Sequence, residues 1–418
     1  LRYTNLGLAK QRASYIKDKV VANLANYIEE FEKNALKNNI QLIWARNSKE
    51  AVSEIIKVLN ENGAHLLVKS KSMISEEIEL NENLEKAGFE PVETDLGEFI
   101  VQVAGEKPYH ILTPAMHKSK EDVAELFTQK FDTPPNSTPQ EITLFVRDLL
   151  RKKFTSAEVG VTGANFLIAN IGGIVLTENE GNGFMSVAFP KVHIVITGIE
   201  KILPSINDLP LFLPLLAAHG TGQQVTVYNS LLTGPKKAGE TNGSEKMFVV
   251  LLDNNRTKIG NEKEHFKALK CIRCGACLNA CPIYKNVGGY TYSSTYTGPI
   301  GSVITPFFNG FGKYNHLSYA CTVCGACTEV CPVKIPLHDL LLLNRKISVE
   351  QNLGTLGWNA GMKAFEWAFK KRENLDFVNG TIKNRLAKAD KNILGTEKEF
   401  PVFAKNSFSK NWKLNLKS

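Results

Sequence analysis

Cys271-Ile-Arg-Cys274-Gly-Ala-Cys277-Leu-Asn-Ala-Cys281-Pro282 is followed by a second run of the same form, Cys321-Thr-Val-Cys324-Gly-Ala-Cys327-Thr-Glu-Val-Cys331-Pro332. Both read C-x2-C-x2-C-x3-C-P, a [4Fe–4S] ligand spacing. A cubane needs thiolates at the corners of a tetrahedron. Cysteines at two-residue intervals let one tight loop cap three irons, and the small Gly-Ala pair lets backbone amides approach the sulfides. The fourth cysteine begins a segment that leads away and, in two-cluster modules, serves the other cluster. The expected sets are therefore Cys271, Cys274, Cys277 and Cys331 for one cluster, and Cys321, Cys324, Cys327 and Cys281 for the other.

C-x2-C knuckles also bind zinc. Zinc requires neither a third cysteine two residues on nor a proline after the fourth, and all eight cysteines of the chain fall into two copies of the longer pattern. The link Pro282–Ala320 is long for a compact free ferredoxin, which implies a mainly helical two-cluster ferredoxin module built into a larger protein. Arg273, Lys285 and Lys334 are placed to offset the negative charge of all-thiolate clusters.

Working outward, the chain has 418 residues, enough for two or three domains. Cysteines confined to one module of so large a chain point to metal rather than a disulfide framework, and to a reducing, cytoplasmic setting. A formal charge of +8 from 50 basic and 42 acidic residues is a mild excess with no nucleic-acid stripe. It is heaviest at Lys370–Arg372 and Lys383–Lys391, which reads as a solvated helical face or as a contact with an acidic partner or membrane surface. No apolar run is long enough to span a bilayer.

Residues 1–40 carry a helical pattern over Ala13–Asn38, with Ile16, Val20, Leu24, Ile28 and Phe31 at spacings of three and four. Residues 41–261 alternate short strands and helices, which predicts an α/β domain with a largely parallel or mixed sheet. Strand-like runs include His110–Thr113, Gly173–Thr177, Val192–Thr197 and Gln224–Tyr228, and Ser119 is placed to cap a helix. Residues 262–346 form the cluster module, whose middle, Val287–Gly312, reads as loop. Residues 347–418 read as a helical appendage whose aromatics Trp358, Phe365, Trp367, Phe369, Phe403, Phe408 and Trp412 pack on the α/β domain or present a docking surface.

Within the α/β domain there is no G-x-G-x-x-G after the first strand, no Walker A motif and no G-x-S-x-G elbow. The richest stretch is Gly160–Gly183, which reads as helix, glycine turn, strand, then a polar glycine-rich loop with Glu178, Glu180 and Asn182. Loops at the carboxyl ends of strands are where open α/β sheets hold ligands. These three residues, with Lys191 and His193 on the next strand, are the pocket candidates. The glycines serve either tight-turn geometry or a ligand, and a lone histidine on an apolar strand is more often a satisfied core residue.

Val68-Lys-Ser-Lys-Ser-Met73, Glu93–Glu98, Gly160–Gly183, Pro190–His193 with Gly198–Lys201, Tyr228–Pro235, the two cysteine runs, Gly298–Gly301 and the tail Phe400–Ala404 with Trp412 occur in an order that resembles the iron–sulfur B subunit of the bacterial three-component lactate utilisation system. The resemblance covers almost the whole chain. It implies an α/β domain of the LUD type, similar to the ribose-phosphate isomerase and CoA-transferase fold, and two [4Fe–4S] clusters. It also implies an electron-transfer role in oxidising L-lactate to pyruvate, beside a cysteine-rich heterodisulfide-reductase-like subunit and a second LUD-domain subunit. Apart from the cysteines it assigns no catalytic residue. The residues leave two other functions open: transformation of an organic acid by the α/β domain itself, and structural clusters in an assembly protein.

Overall fold

Val192–Gly198 and Lys246–Leu252 are buried almost end to end, as strands covered on both faces must be. In the computed structural model, which describes residues 3–389 and 402–415, they lie at the centre of an all-parallel sheet. Its strands are β1 (Ile40–Ala45), β2 (Leu66–Lys69), β3 (Glu90–Glu93), β4 (Val159–Thr162), β7 (Val192–Gly198) and β10 (Lys246–Leu252), in the order β1-β10-β7-β4-β2-β3. Side chains alternate across the pleat. Phe248, Val250 and Leu252 join a core under the helix Ser48–Glu61, while Met247, Val249 and Leu251 join one under the helix Leu24–Lys37. The chain runs from β2 to β3 at one edge, then crosses to β4 on the other side of β2. That reversal is a topological switch point, and it opens a crevice beyond the carboxyl ends of β2 and β4.

A second sheet is mixed, with β5 (Phe166–Ile168), β6 (Gly173–Glu178), β8 (Ile202–Leu203) and β9 (Tyr228–Leu232) in the order β8-β5-β6-β9. Four local expectations change. The helix expected early in Gly160–Gly183 is instead the end of β4, then β5 and a single 3-10 turn at Ala169–Ile171, because Phe166–Ile168 pairs with β6 and β8. The single N-terminal helix is two, Leu6–Ala22 and Leu24–Lys37, because Asn23 leaves helical geometry and turns its amide back to the Lys19 carbonyl. His110–Thr113 is not a strand; the His110 Nδ1 accepts from the Leu112 and Thr113 amides and folds the segment into a turn. The strand expected at Gln224–Tyr228 begins only at Tyr228. Ser119 does cap the helix Lys120–Phe131, in a reciprocal capping box with Asp122, a device worth about 1 kcal/mol.

The cysteine module is helical, and the second half of the stretch Val287–Gly312 is core rather than loop. Gly298–Asn309 forms a helix buried from Gly298 to Phe307. Its small residues, which read as loop composition, permit close packing: a Cβ on Gly301 would lie 2.0 Å from the Tyr296 carbonyl oxygen. Across the expected 261/262 division runs one continuous core. It joins Ala13, Phe166 and Phe212 to Leu278, Val303 and Leu340. Packing groups Leu1–Ile347 as one unit and Ser348–Ser418 as another.

The second unit contains the helices Leu356–Lys370, Arg372–Phe377, Gly380–Ala389 and Phe408–Asn415. Phe365 stacks on Phe369 at 4.2 Å, and Asn384 pairs with the Phe403 backbone in both directions. Trp358, Phe365, Trp367, Phe369 and Trp412 are exposed. The end of the basic run, Lys391, and the tail residues Phe400 and Pro401 lie outside the described residues. Among the described residues no helix is long and apolar enough to cross a membrane.

Candidate functional site

The two cysteine runs adopt one backbone twice. Arg273 and Val323 stand at φ 60° and 58°, and Gly275 and Gly325 at φ 79° and 81°. Short helices follow at Ala276–Ala280 and Ala326–Val330 and pack on each other. A β-branched valine in the left-handed region is costly, so the loop geometry overrides residue preference here. The left-handed turns aim backbone amides at sulfur. The amides of Arg273 and Val323 donate to Cys271 and Cys321 Sγ at 3.4 and 3.3 Å, and those of Tyr284 and Ile335 to Cys281 and Cys331 at 3.4 and 3.3 Å.

All eight cysteines are free thiols. Cys274, Cys277 and Cys331 sense the charge of Cys271, whereas Cys327 senses Cys321, Cys281 and Cys324. Cys331 of the second run thus lies with Cys271, Cys274 and Cys277, and Cys281 of the first lies near Cys327. Tyr292, buried, lies close to Cys281, Cys321 and Cys277 and so between the two groups. Burial pushes the Cys274 thiol up to about 12 and that of Cys327 up to about 11. Thiols gathered in this way pay a desolvation cost as thiolates that a bound cation removes. The donor set, the free thiols and the amide-to-sulfur contacts all fit cubane clusters. Cys271, Cys274, Cys277 and Cys331 line one small cavity, three of them buried, while Cys324 of the other group is exposed.

Beside the first group lies a cleft of about 310 Å³ at the switch point. Its floor is formed where β2, β4 and β7 end, at Ser70, Gly163 and Thr197, and its roof includes Arg273 and Cys274. Met73, Ile111, Arg273, Cys274 and Tyr296 border both this cleft and the cysteine cavity, so one layer of side chains separates the two. Behind the cleft, the Arg256 guanidinium is buried between two carboxylates, Glu77 and Glu200, and Arg273 reaches Glu200 at 3.5 Å. Arg273 also lies over the Tyr296 ring, 4.3 Å from its centroid. Burial alone would raise Glu200; Arg256, then Arg273 and Lys201, outweigh it and hold the carboxyl down at about 2.

Of the five residues singled out from sequence, three reach the cleft. Glu178 accepts from the Gly183 and Phe184 amides at 2.6 and 2.7 Å and so closes the glycine loop over its own strand end. Burial, reinforced by Asp95, raises it. Glu180 and Asn182 also border the cleft. Lys191 and His193 do not. Lys191 precedes β7 and is exposed at the opposite, amino edge of the sheet. His193 is fully buried within β7, its Nε2 2.8 Å from Thr162 Oγ1, and burial lowers it to about 3, so it is a neutral core residue.

Sequence reading missed Lys71, Asp95, Thr177 and Lys201, all of which line the cleft. Each stands near the end of a strand: Lys71 after β2, Asp95 after β3, Thr177 at the end of β6 and Lys201 after β7. Ligand placement at strand carboxyl ends would have found them once the sheet order was known. Lys201 is lowered to about 8, chiefly by burial and then by the neighbouring Arg273 charge.

Family comparisons match the same two parts. The LUD domain matches residues 28–252, and the 4Fe-4S dicluster domain matches residues 267–335. Lactate utilization protein B of Bacillus subtilis (strain 168) is 43% identical over 353 residues, covering 84% of this chain and 73% of that protein. The protein of that name from Bacillus velezensis is 42% identical over 359 residues, covering 85% and 75%. The Escherichia coli (strain K12) electron transport protein YkgF is 39% identical over 359 residues, covering 86% and 75%. A crystal structure of a DUF162 family protein from Deinococcus radiodurans aligns with 55% of this chain and 98% of its own, at 14% identity and a TM-score of 0.32.

Proposed function

The chain belongs to the lactate utilization protein B family, and from that premise we propose that it is the iron–sulfur electron-transfer subunit of a complex oxidising L-lactate to pyruvate. The observation that carries the proposal is the sorting of eight thiols into two groups, one against an internal cleft and one reaching the surface at Cys324. In this assignment Cys271, Cys274, Cys277 and Cys331 hold one cluster, and Cys321, Cys324, Cys327 and Cys281 the other. Two [4Fe–4S] clusters held there would supply one-electron chemistry at two centres, equal to the two electrons released as the C2–H and O–H bonds of lactate break, C2=O forms and two protons leave.

The protein's own residues hold the thiol loops, offset negative charge through Arg273, and seal the first group from water behind Ile300, Leu337 and Tyr296. The second group, which reaches the surface at Cys324, is the exit to a partner. The resemblance supports a cysteine-rich heterodisulfide-reductase-like subunit and a second LUD-domain subunit as those partners, working together in the cytoplasm. The test is anaerobic copurification with both, followed by addition of L-lactate. Bleaching of the cluster absorption with matching pyruvate formation is expected. Clusters that lactate leaves oxidised in the full complex, or that do not cycle reversibly in a redox titration, would overturn the assignment.

A further inference from the structure

We propose that the switch-point cleft of this chain is itself a seat for a short carboxylic acid bearing a hydroxyl or carbonyl on the adjacent carbon, its carboxylate held by Lys201 and Arg273 and its second oxygen by Thr177. The choice of a 2-hydroxy or 2-oxo acid rests on the function proposed above; the anionic character of the ligand rests on the cleft alone.

Four carboxylates face or underlie this space, and every one is engaged within the protein. Glu200 lies between Arg256 and Arg273, and Glu178 caps the Gly183 and Phe184 amides. Asp95 accepts from the Glu98 amide and stands 3.8 Å from Lys71. Glu180 lies close to the Leu96 amide and to Lys71. The cations are not so matched. Arg256 and Arg273 together meet Glu77 and Glu200, which leaves Lys201 with no hydrogen-bond or ion-pair partner among the described residues. Arg273 spends only one nitrogen, at 3.5 Å, on Glu200, and its Nη1 is buried with no protein partner. Thr177 Oγ1 is also buried without one.

Arg273 Nη1 and Thr177 Oγ1 are buried donors left unpaired, an arrangement that a bound acceptor relieves, and both residues border one cavity together with the half-buried Lys201. Unpaired cationic donors beside a lone hydroxyl match a carboxylate with an oxygen on the next carbon. The remaining wall, Met73 and Ile111, is apolar and is shared with the cysteine cavity. It faces the carbon skeleton and keeps the bound acid one side chain away from the first thiol group.

The experiment uses the full chain purified anaerobically with its iron intact, titrated calorimetrically with pyruvate, pyruvamide and acetate. Pyruvate is expected to bind and its neutral amide to fail. Lys201→Gln should weaken pyruvate by about 10- to 100-fold, with Lys201→Arg restoring most of the loss. Thr177→Val should remove the preference for pyruvate over acetate. Unchanged cluster absorption in each variant excludes loss of the module as the cause. The seat is overturned if pyruvate does not bind, if pyruvamide binds as well, or if Lys201→Gln binds like the parent. Lactate-dependent bleaching in the full complex without any pyruvate binding would remove the seat and leave the electron relay standing; binding without bleaching would do the reverse.

Discussion

Arg256 Nε donates to Glu200 Oε2 at 2.6 Å while the other face of its guanidinium grips Glu77 at 2.8 and 2.7 Å. Arg256 is fully buried, so the two carboxylates tie the end of β7 and the segment after β2 to the chain entering the cysteine module. Glu77 also accepts from the Tyr296 hydroxyl. This network connects the α/β sheet to the cysteine module.

Replacing Arg256 by Met should destabilise the protein by about 3–5 kcal/mol, because it leaves the buried Glu77 without a cation and Glu200 with Arg273 alone. Denaturant unfolding followed by far-UV circular dichroism measures the loss. Glu200→Gln, which keeps an acceptor for Arg256, should cost less.

Substituting cysteines one at a time tests the crossed grouping. Cys331→Ala and Cys271→Ala should leave the same residual spectrum, as should Cys281→Ala and Cys324→Ala, each with about half the iron. If Cys281→Ala instead matches Cys271→Ala, the ligands are not crossed.

Removal of iron by a chelator under anaerobic conditions should expose a graded set of thiols. Cys324 is exposed and should alkylate first. Cys274 and Cys277 are buried, and burial raises both thiols, so they should lag far behind at pH 8. Peptide mass spectrometry over a time course reads the order.

His193 makes stability fall with acid. Its folded pKa, lowered by burial to about 3, lies below the ordinary 6.5, so between these values the unfolded chain binds the extra proton. The stabilisation is complete above pH 6.5 and is lost as pH falls toward 3, with roughly 2 kcal/mol gone by pH 5. His193→Gln should flatten the dependence of the denaturation midpoint on pH between 7 and 5.

Gly160→Ala should disrupt the sheet next to the cleft. A Cβ there would lie 1.7 Å from the Ser186 carbonyl oxygen, where the helix Asn182–Ala188 rests directly on β4. Overpacking of this kind costs about 1–3 kcal/mol or more, measurable as a lowered melting temperature.

The cysteine module was legible from residue order because cubane ligation is local: three thiolates and two small residues within seven positions dictate the loop. Alternating strand and helix patterns likewise announced the α/β class, since burial on both faces leaves continuous apolar strands such as Met247–Leu252. Composition misled at Gly298–Asn309, where glycine and proline serve tight helix packing rather than a loop.

The sequence by itself determined the metal chemistry and the fold class, because both depend on spacings of a few residues. Tertiary structure decided which side chains share the cleft. Glu178 and Lys201 lie far apart in sequence from Lys71 and Arg273, and only the strand order brings their ends to one crevice. The same order sends Lys191 to the opposite edge and buries His193. A one-dimensional pattern records which face of a strand a residue takes, but not which strands become neighbours; that is set by the crossover from β3 to β4.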